Sequence, residues 1–264
     1  MRTGSKFGER PRPPDGLEAV VFDLGGTLID YLGGAPSWPA MENPGVEAAY
    51  ACLSSAGLAL DSASFHESFI AAMDERWRAA TAGLHAPPTL GDLVIHVCGT
   101  VGFGLPDHLL AASVACYVAP IAARSRVAEG ARDVIVWLHQ HGIRLGIISN
   151  TIWPAEAHLD DLSRYGLLDH FDHVLFSSET GLWKPDRRVF DASLAHLGVA
   201  PERAVFIGDR LVEDVQGAQR AGLRAIFLEG TQDYEDIDLS AFTPDARIRS
   251  LRELPSALAE LWES

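Results

Sequence analysis

Asp23, Ser149, Asp209 and Asp214 are the residues best placed to do chemistry, because of what precedes them. Asp23 closes the apolar run Ala19–Phe22, Ser149 and Asn150 close Leu145–Ile148, and Gly208-Asp209 close Ala204–Ile207, with Asp214 one turn further on. In open α/β sheets ligands bind beyond the carboxyl ends of the strands. If these strands are neighbours, carboxylates and a hydroxyl meet at one edge. Carboxylates brought that close repel unless a cation lies between them, and an all-oxygen donor set suits Mg2+. Any one of these acids alone reads equally well as a helix cap. Their recurrence at successive strand ends favours a site. The chain also carries 19 arginines but two lysines, Lys6 and Lys184. Keeping one lysine deep in such a chain is either chance or a requirement.

The elements that must position these residues follow from hydropathy. Five short runs rich in Val, Ile and Phe read as buried parallel strands: Ala19–Phe22, Leu145–Ile148, Val174–Phe176, Ala204–Ile207 and Ala225–Leu228, with a weaker sixth at Ala246–Arg249. Helical spacing lies between them, as in Ala131, Val134, Ile135 and Leu138, with Gly142 placed to end that helix. This alternation predicts a doubly wound, Rossmann-like α/β sheet. About 90 residues separate the first two strands, too many for a loop. They hold four helix-like stretches, Gly45–Gly57, Ser64–Ala82, Thr89–Thr100 and Asp107–Arg124. The expected organisation is a polar tail at 1–17, an α/β core at 18–31 and 126–264, and an inserted helical cap at 32–125.

Composition narrows the function classes. A net charge of -15 argues against nucleic acid and anionic membranes as partners. No apolar run approaches the ~18–20 residues that span a bilayer. The first 15 residues carry four basic side chains and no apolar stretch, unlike a secretory signal. Cys52, Cys98 and Cys116 lack metal-ligand spacing and suit a reducing compartment. A cytoplasmic protein is the expectation. The sequence carries no signal of oligomeric state.

Four segments together resemble the motifs of the haloacid dehalogenase superfamily. They are Phe22-Asp23-Leu24-Gly25-Gly26-Thr27-Leu28, Ile147-Ile148-Ser149-Asn150, Lys184-Pro185-Asp186, and Gly208-Asp209 through Asp214. Their order and spacing fit the helical-cap, phosphatase-like branch. The resemblance implies a hydrolase acting on a small phosphorylated metabolite, with Asp23 as nucleophile forming an aspartyl-phosphate. Thr27, Ser149 and Asn150 would bind the phosphate. Lys184 would neutralise charge on the nucleophile and phosphoryl group. Mg2+ would be held by Asp23, Asp209, the backbone carbonyl of Gly25 and, directly or through water, Asp214.

Position 25 departs from this pattern. The phosphatases the chain resembles carry there a second Asp that protonates the leaving group and then activates water. Here it is Gly25. Losing such a group costs ~10^2–10^4 in rate. Asp30, Glu42 or another cap residue could replace it, or the substrate could carry a good leaving group. A catalytically weak protein that only binds a phosphorylated ligand is the rival from another class. A 2-haloacid dehalogenase is a further alternative, since that branch also lacks the second Asp, although it works without metal and without the Gly-Asp pair. A phosphonate hydrolase is set aside because the expected cap contains no lysine. Tyr31, Trp38 and Trp183 either line the site or pack beside it. His66, Arg76 and Arg78 either read substrate or lie on an exposed helical face, and His139, His141 and the Arg187-Arg188 pair read as surface residues.

Overall fold

The protein is represented by a computed structural model describing residues 11–230 and 241–263. Residues 1–10 of the expected tail lie outside these. From the amino end the chain forms β1 (Ala19–Phe22), the short β2 (Ile29–Asp30), then α1 (Trp38–Ser55), α2 (Ser62–Thr81), α3 (Leu90–Thr100) and α4 (Asp107–Ala122). It returns through β3 (Arg126–Val127), α5 (Ala131–Gln140), β4 (Arg144–Ser149), α6 (Ala155–Arg164), β5 (His173–Phe176), α7 (Ser177–Thr180) and α8 (Arg187–Leu197). β6 (Ala204–Gly208) leads into a wide helical turn over 211–216, α9 (Gly217–Ala221), β7 (Arg224–Leu228), β8 (Ala246–Ile248) and α10 (Leu254–Glu263).

The six apolar runs make one parallel sheet in the order β5-β4-β1-β6-β7-β8. The reversal of strand order at β1 puts β4 on one side of it and β6 on the other, with Phe22 level with Ile147 and Ile207. The first, second and fourth motifs therefore end at one edge. All four β1 residues are fully buried. Val20 and Phe22 enter one apolar cluster and Ala19 and Val21 the other, as period-two alternation requires. Each such large side chain contributes roughly 1.5–3 kcal/mol through burial.

Four helices fill the stretch between β2 and β3. Asp61 caps α2 by accepting from Ser64 N at 3.0 Å. Thr89 and Asp92 form a reciprocal capping box on α3. β2 and β3, only two residues each, close the stretch as an antiparallel pair. Among the described residues no helix is long and apolar enough to cross a membrane.

α1 and α4 approach most closely at Gly45, where a Cβ would lie 2.8 Å from both the Tyr117 carbonyl and Ile121 Cδ1. A backbone carbonyl cannot swing away as a side-chain tip can. Gly45→Ala is therefore expected to cost about 1–3 kcal/mol through overpacking. Thermal melting checks this, and an unchanged midpoint would mean that the two helices can part freely.

Candidate active site

Asp23 leaves β1 with its amide donating to Ile207 O at 2.9 Å, which pins the carboxylate above the β1–β6 seam. Gly26 then turns the chain with φ of 92°, and any Cβ there would run into the Asp209 carboxylate. Glycine is required twice over, for the backbone conformation and for the close approach. Asp209 and Asp214 are fully buried beyond β6. Single oxygens of Asp23, Asp209 and Asp214 lie within 4.8 Å of one another.

Lys184 supplies the positive charge. Its Nζ donates to Asp23 Oδ1 and Asp214 Oδ1, both at 2.7 Å. The side chain is 1% exposed, and its ammonium lies 5.0 Å from the centre of the Phe206 ring. The backbone of Lys184 is clamped on both sides by Asn150, whose Oδ1 accepts from Lys184 N at 2.8 Å while its Nδ2 donates to Lys184 O at 2.9 Å. Asp214 Oδ2 in turn accepts from Arg210 N at 2.9 Å.

The electrostatics follow from this crowding. Burial works against the Lys184 ammonium, but Asp214 and Asp23 outweigh it and hold the group above its ordinary value. Burial pushes Asp23 up to about 7; Lys184 pulls it down, and Asp214 and Asp209 push it up again. Two cations, Lys184 and Arg210, do not balance the four carboxylates Asp23, Asp209, Asp214 and Glu213. The donors are all oxygens from a rigid sheet edge, and an oxygen-seeking divalent cation fits them. Asp23, Asp209 and Asp214 could hold it, with the carbonyl of Gly25 at hand on the same turn.

Above this cluster lies a cavity of about 340 Å3. Its floor includes Asp23, Gly25, Ser149, Asn150 and Lys184, and its walls come from α1, α2 and the loop after β4. Ser149 is therefore at the reaction edge, whereas Asn150 has both ends of its amide against the Lys184 backbone. Thr27 is fully buried, and its hydroxyl has no hydrogen-bond partner among the described residues. Tyr31 and Trp38 line the cavity, and a Cβ at Gly25 would meet them at 3.4 and 3.5 Å. Trp183 lies behind the wall, donating from Nε1 to Thr81 Oγ1 at 3.1 Å and meeting Trp77 edge-on at 4.5 Å. Glu42 is on the cavity wall. Asp30 instead accepts from Gly33 N at 3.4 Å, beside a different cleft.

Several wall residues carry no sequence signal. His158, on α6, is held between Tyr31 Oη at 2.9 Å and Thr151 Oγ1 at 2.7 Å, with the Trp153 ring stacked on it at 5.3 Å. Burial lowers it to about 3, so the imidazole is neutral. Arg210, between Asp209 and the helices, faces the Trp77 ring at 5.1 Å and the Trp38 ring at 5.7 Å. His158 belongs to no motif, and Arg210 is a variable spacer within the fourth, so spacing flagged neither. His66 pairs with Asn43 at 2.8 Å and Arg78 with Asp74, away from the acidic cluster.

Comparison with known proteins gives the family. The family model for haloacid dehalogenase-like hydrolase matches residues 17–222. A phosphoserine phosphatase of Thermus thermophilus is 38% identical over 115 residues, 44% of this chain and 44% of that protein. The match thus spans less than half the length of that relative. A ribulose-1,5-bisphosphate 5-phosphatase of Halopiger xanaduensis is 30% identical over 217 residues, 81% of this chain and 86% of that protein. The solved structure of a 2-haloacid dehalogenase from Pseudomonas syringae superposes with a TM-score of 0.65 at 25% identity, covering 92% of this chain and 99% of that one. With all four motif segments brought to one sheet edge and the family model covering most of its length, the chain belongs to the haloacid dehalogenase-like hydrolase family.

Proposed function

We propose that the protein is a Mg2+-dependent phosphohydrolase that acts on a small phosphorylated metabolite through an aspartyl-phosphate on Asp23. The observation that carries this reading is the Asp23 carboxylate itself. It stands at the floor of a cavity, hydrogen-bonded to a buried ammonium and beside two further buried carboxylates. Phosphatases among the relatives support the substrate class.

On this reading Asp23 attacks phosphorus and the bond to the leaving oxygen breaks. Lys184 offsets charge on the nucleophile and the transferring group, in a site where water is scarce and such charge counts most. Ser149 and Thr27 hold phosphate oxygens; the unpartnered Thr27 hydroxyl is the group that lacks a ligand. Asn150 acts by fixing the Lys184 backbone. A bound Mg2+ would supply Lewis-acid polarisation of the phosphoryl oxygens. The helices over 38–122 act as a cap that excludes water.

Two rival readings share the site. A dehalogenase would also use Asp23 and tolerate Gly25, and the Pseudomonas syringae enzyme shows that its fold is similar. Asp209, buried against Gly26 next to the nucleophile, speaks instead for a metal. A binding protein without turnover would keep the same phosphate and metal groups. Hydrolysis of p-nitrophenyl phosphate with and without Mg2+ separates the three. Mg2+-dependent release of nitrophenol is the expected outcome. Chloride release from 2-chloropropionate without metal would establish the dehalogenase. Inactivity that Gly25→Asp reverses would establish the binding protein.

The metal can be checked without turnover. Mg2+ at about a hundredfold above its dissociation constant adds about 2.7 kcal/mol and raises the thermal midpoint by roughly 5–10 °C. Asp209→Asn is expected to remove that shift. A shift that survives in the variant would place the ion elsewhere.

A further inference from the structure

We infer that Glu42 is the proton donor and acceptor for the leaving group, doing from helix α1 what the missing carboxylate at position 25 would do. This rests on the phosphohydrolase reading above. Glu42 lies one turn after Trp38, on the same helix face, and both line the cavity. The Trp38 ring reaches to 3.5 Å of where a Cβ at Gly25 would stand, beside Tyr31 at 3.4 Å. The helix thus carries the Glu42 carboxyl to the cavity that Asp23 floors.

The carboxyl is prepared for proton transfer. The hydroxyl of the fully buried Tyr117 donates to Oε2, leaving Oε1 without a hydrogen-bond partner among the described residues. No cation there pairs with it. Burial pushes the group up to about 7, against the Tyr117 hydrogen bond, which lowers it. A carboxyl poised near neutrality can both give and take a proton.

The other ionisable groups on the wall are less suited. Both ring nitrogens of His158 are engaged, and burial keeps the ring neutral. Burial and Asp161 hold Tyr31 well above its ordinary value. Asp74 is exposed and paired with Arg78.

The step balances. As Asp23 attacks phosphorus, the Glu42 proton passes to the leaving oxygen, giving the alcohol and a Glu42 carboxylate. Water then attacks phosphorus of the aspartyl-phosphate, and its proton returns to Glu42. Inorganic phosphate leaves and the Asp23 carboxylate is restored.

The test is a series of substituted phenyl phosphates, assayed with Mg2+ on wild type, Glu42→Gln and Tyr117→Phe. Glu42→Gln keeps an acceptor for Tyr117, and thermal melting reports whether it is folded. Its rate on phenyl phosphate is expected to fall ~10^2–10^4-fold. On p-nitrophenyl phosphate, whose leaving group needs little protonation, the loss is expected to be far smaller. Adding Gly25→Asp to Glu42→Gln should recover phenyl phosphate hydrolysis. Tyr117→Phe, which breaks the same buried contact from the other side, should keep the wild-type dependence on leaving group. An equal loss across the series, or the same steepening in Tyr117→Phe, would overturn the role of Glu42 and leave the phosphohydrolase intact. A wild type inert on every member with Mg2+ would overturn the phosphohydrolase reading, and Glu42 with it.

Discussion

Asp23→Asn is expected to lower hydrolysis of p-nitrophenyl phosphate by about 10^4-fold or more, because the amide cannot form the covalent intermediate. The substitution is nearly isosteric. Its amide oxygen can still accept from Lys184 Nζ, which donates to Asp23 Oδ1 at 2.7 Å. It also removes one of three carboxylates crowded within 4.8 Å. Folding is therefore not weakened, and the loss reports on the nucleophile and on the Mg2+ that Asp23 is proposed to help hold. Two measurements check it. Initial rates in Mg2+ give the magnitude, and acid quenching with labelled substrate shows phosphorylated protein for wild type and none for the variant. Full activity in Asp23→Asn would remove the nucleophile from this aspartate. Label on the variant would place the covalent intermediate on another side chain.

The residues that this experiment addresses were legible in the sequence because each follows a buried strand. Ala19–Phe22 is apolar at every position and forms β1 over those same residues. Asp23, Ser149 and Asp209 then converge for a topological reason, since β1 pairs with β4 on one side and β6 on the other. The helical stretches before Arg126 were legible for a similar reason: caps such as Asp61 and Thr89 mark their starts.

What was not legible lies in contacts between distant segments. The Asn150 side chain could have faced a phosphate on sequence grounds, but its partner is a backbone 34 residues away. Trp77, Trp153, His158 and Arg210 come from a helix, a loop, another helix and a motif spacer, and only the packing of the helices over 38–122 on the sheet makes them one wall. β2 and β3 are two residues long, too short to show a period, and pair across about a hundred residues. The loss at Gly25 was plain from the sequence, and Glu42 was one candidate to replace it, but nothing in the sequence set it apart from Asp30. Glu42 gains its chemical character from burial and from Tyr117, 75 residues further on.

Lys184→Met is expected to damage stability and activity together, in a way that pH separates from lost packing. Methionine fills nearly the same volume but leaves Asp23, Asp209 and Asp214 without their ammonium. Breaking a buried ion pair by removing one partner costs about 3–5 kcal/mol. In a chain of this size that lowers the thermal midpoint by roughly 10 °C. Activity is expected to fall by about 10^2–10^3-fold or more, since preorganised charge at the transferring group is lost. The sign of the pH dependence follows from Asp23. Its folded pKa is already raised to about 7, so protonation in the folded state stabilises and that stability is lost as pH rises. Without Lys184 the Asp23 carboxyl rises further. The deficit of Lys184→Met relative to wild type should therefore be largest at alkaline pH and shrink as pH falls toward about 7. Mg2+ should recover part of the midpoint, because the same carboxylates then face a cation. Lys184→Arg is not expected to rescue, since the guanidinium is larger than the fully enclosed space beside Phe206. A deficit that stays constant from acid to alkaline pH would mean that Lys184 holds this edge by its alkyl chain. The charge balance argued for the site would then be wrong at its centre.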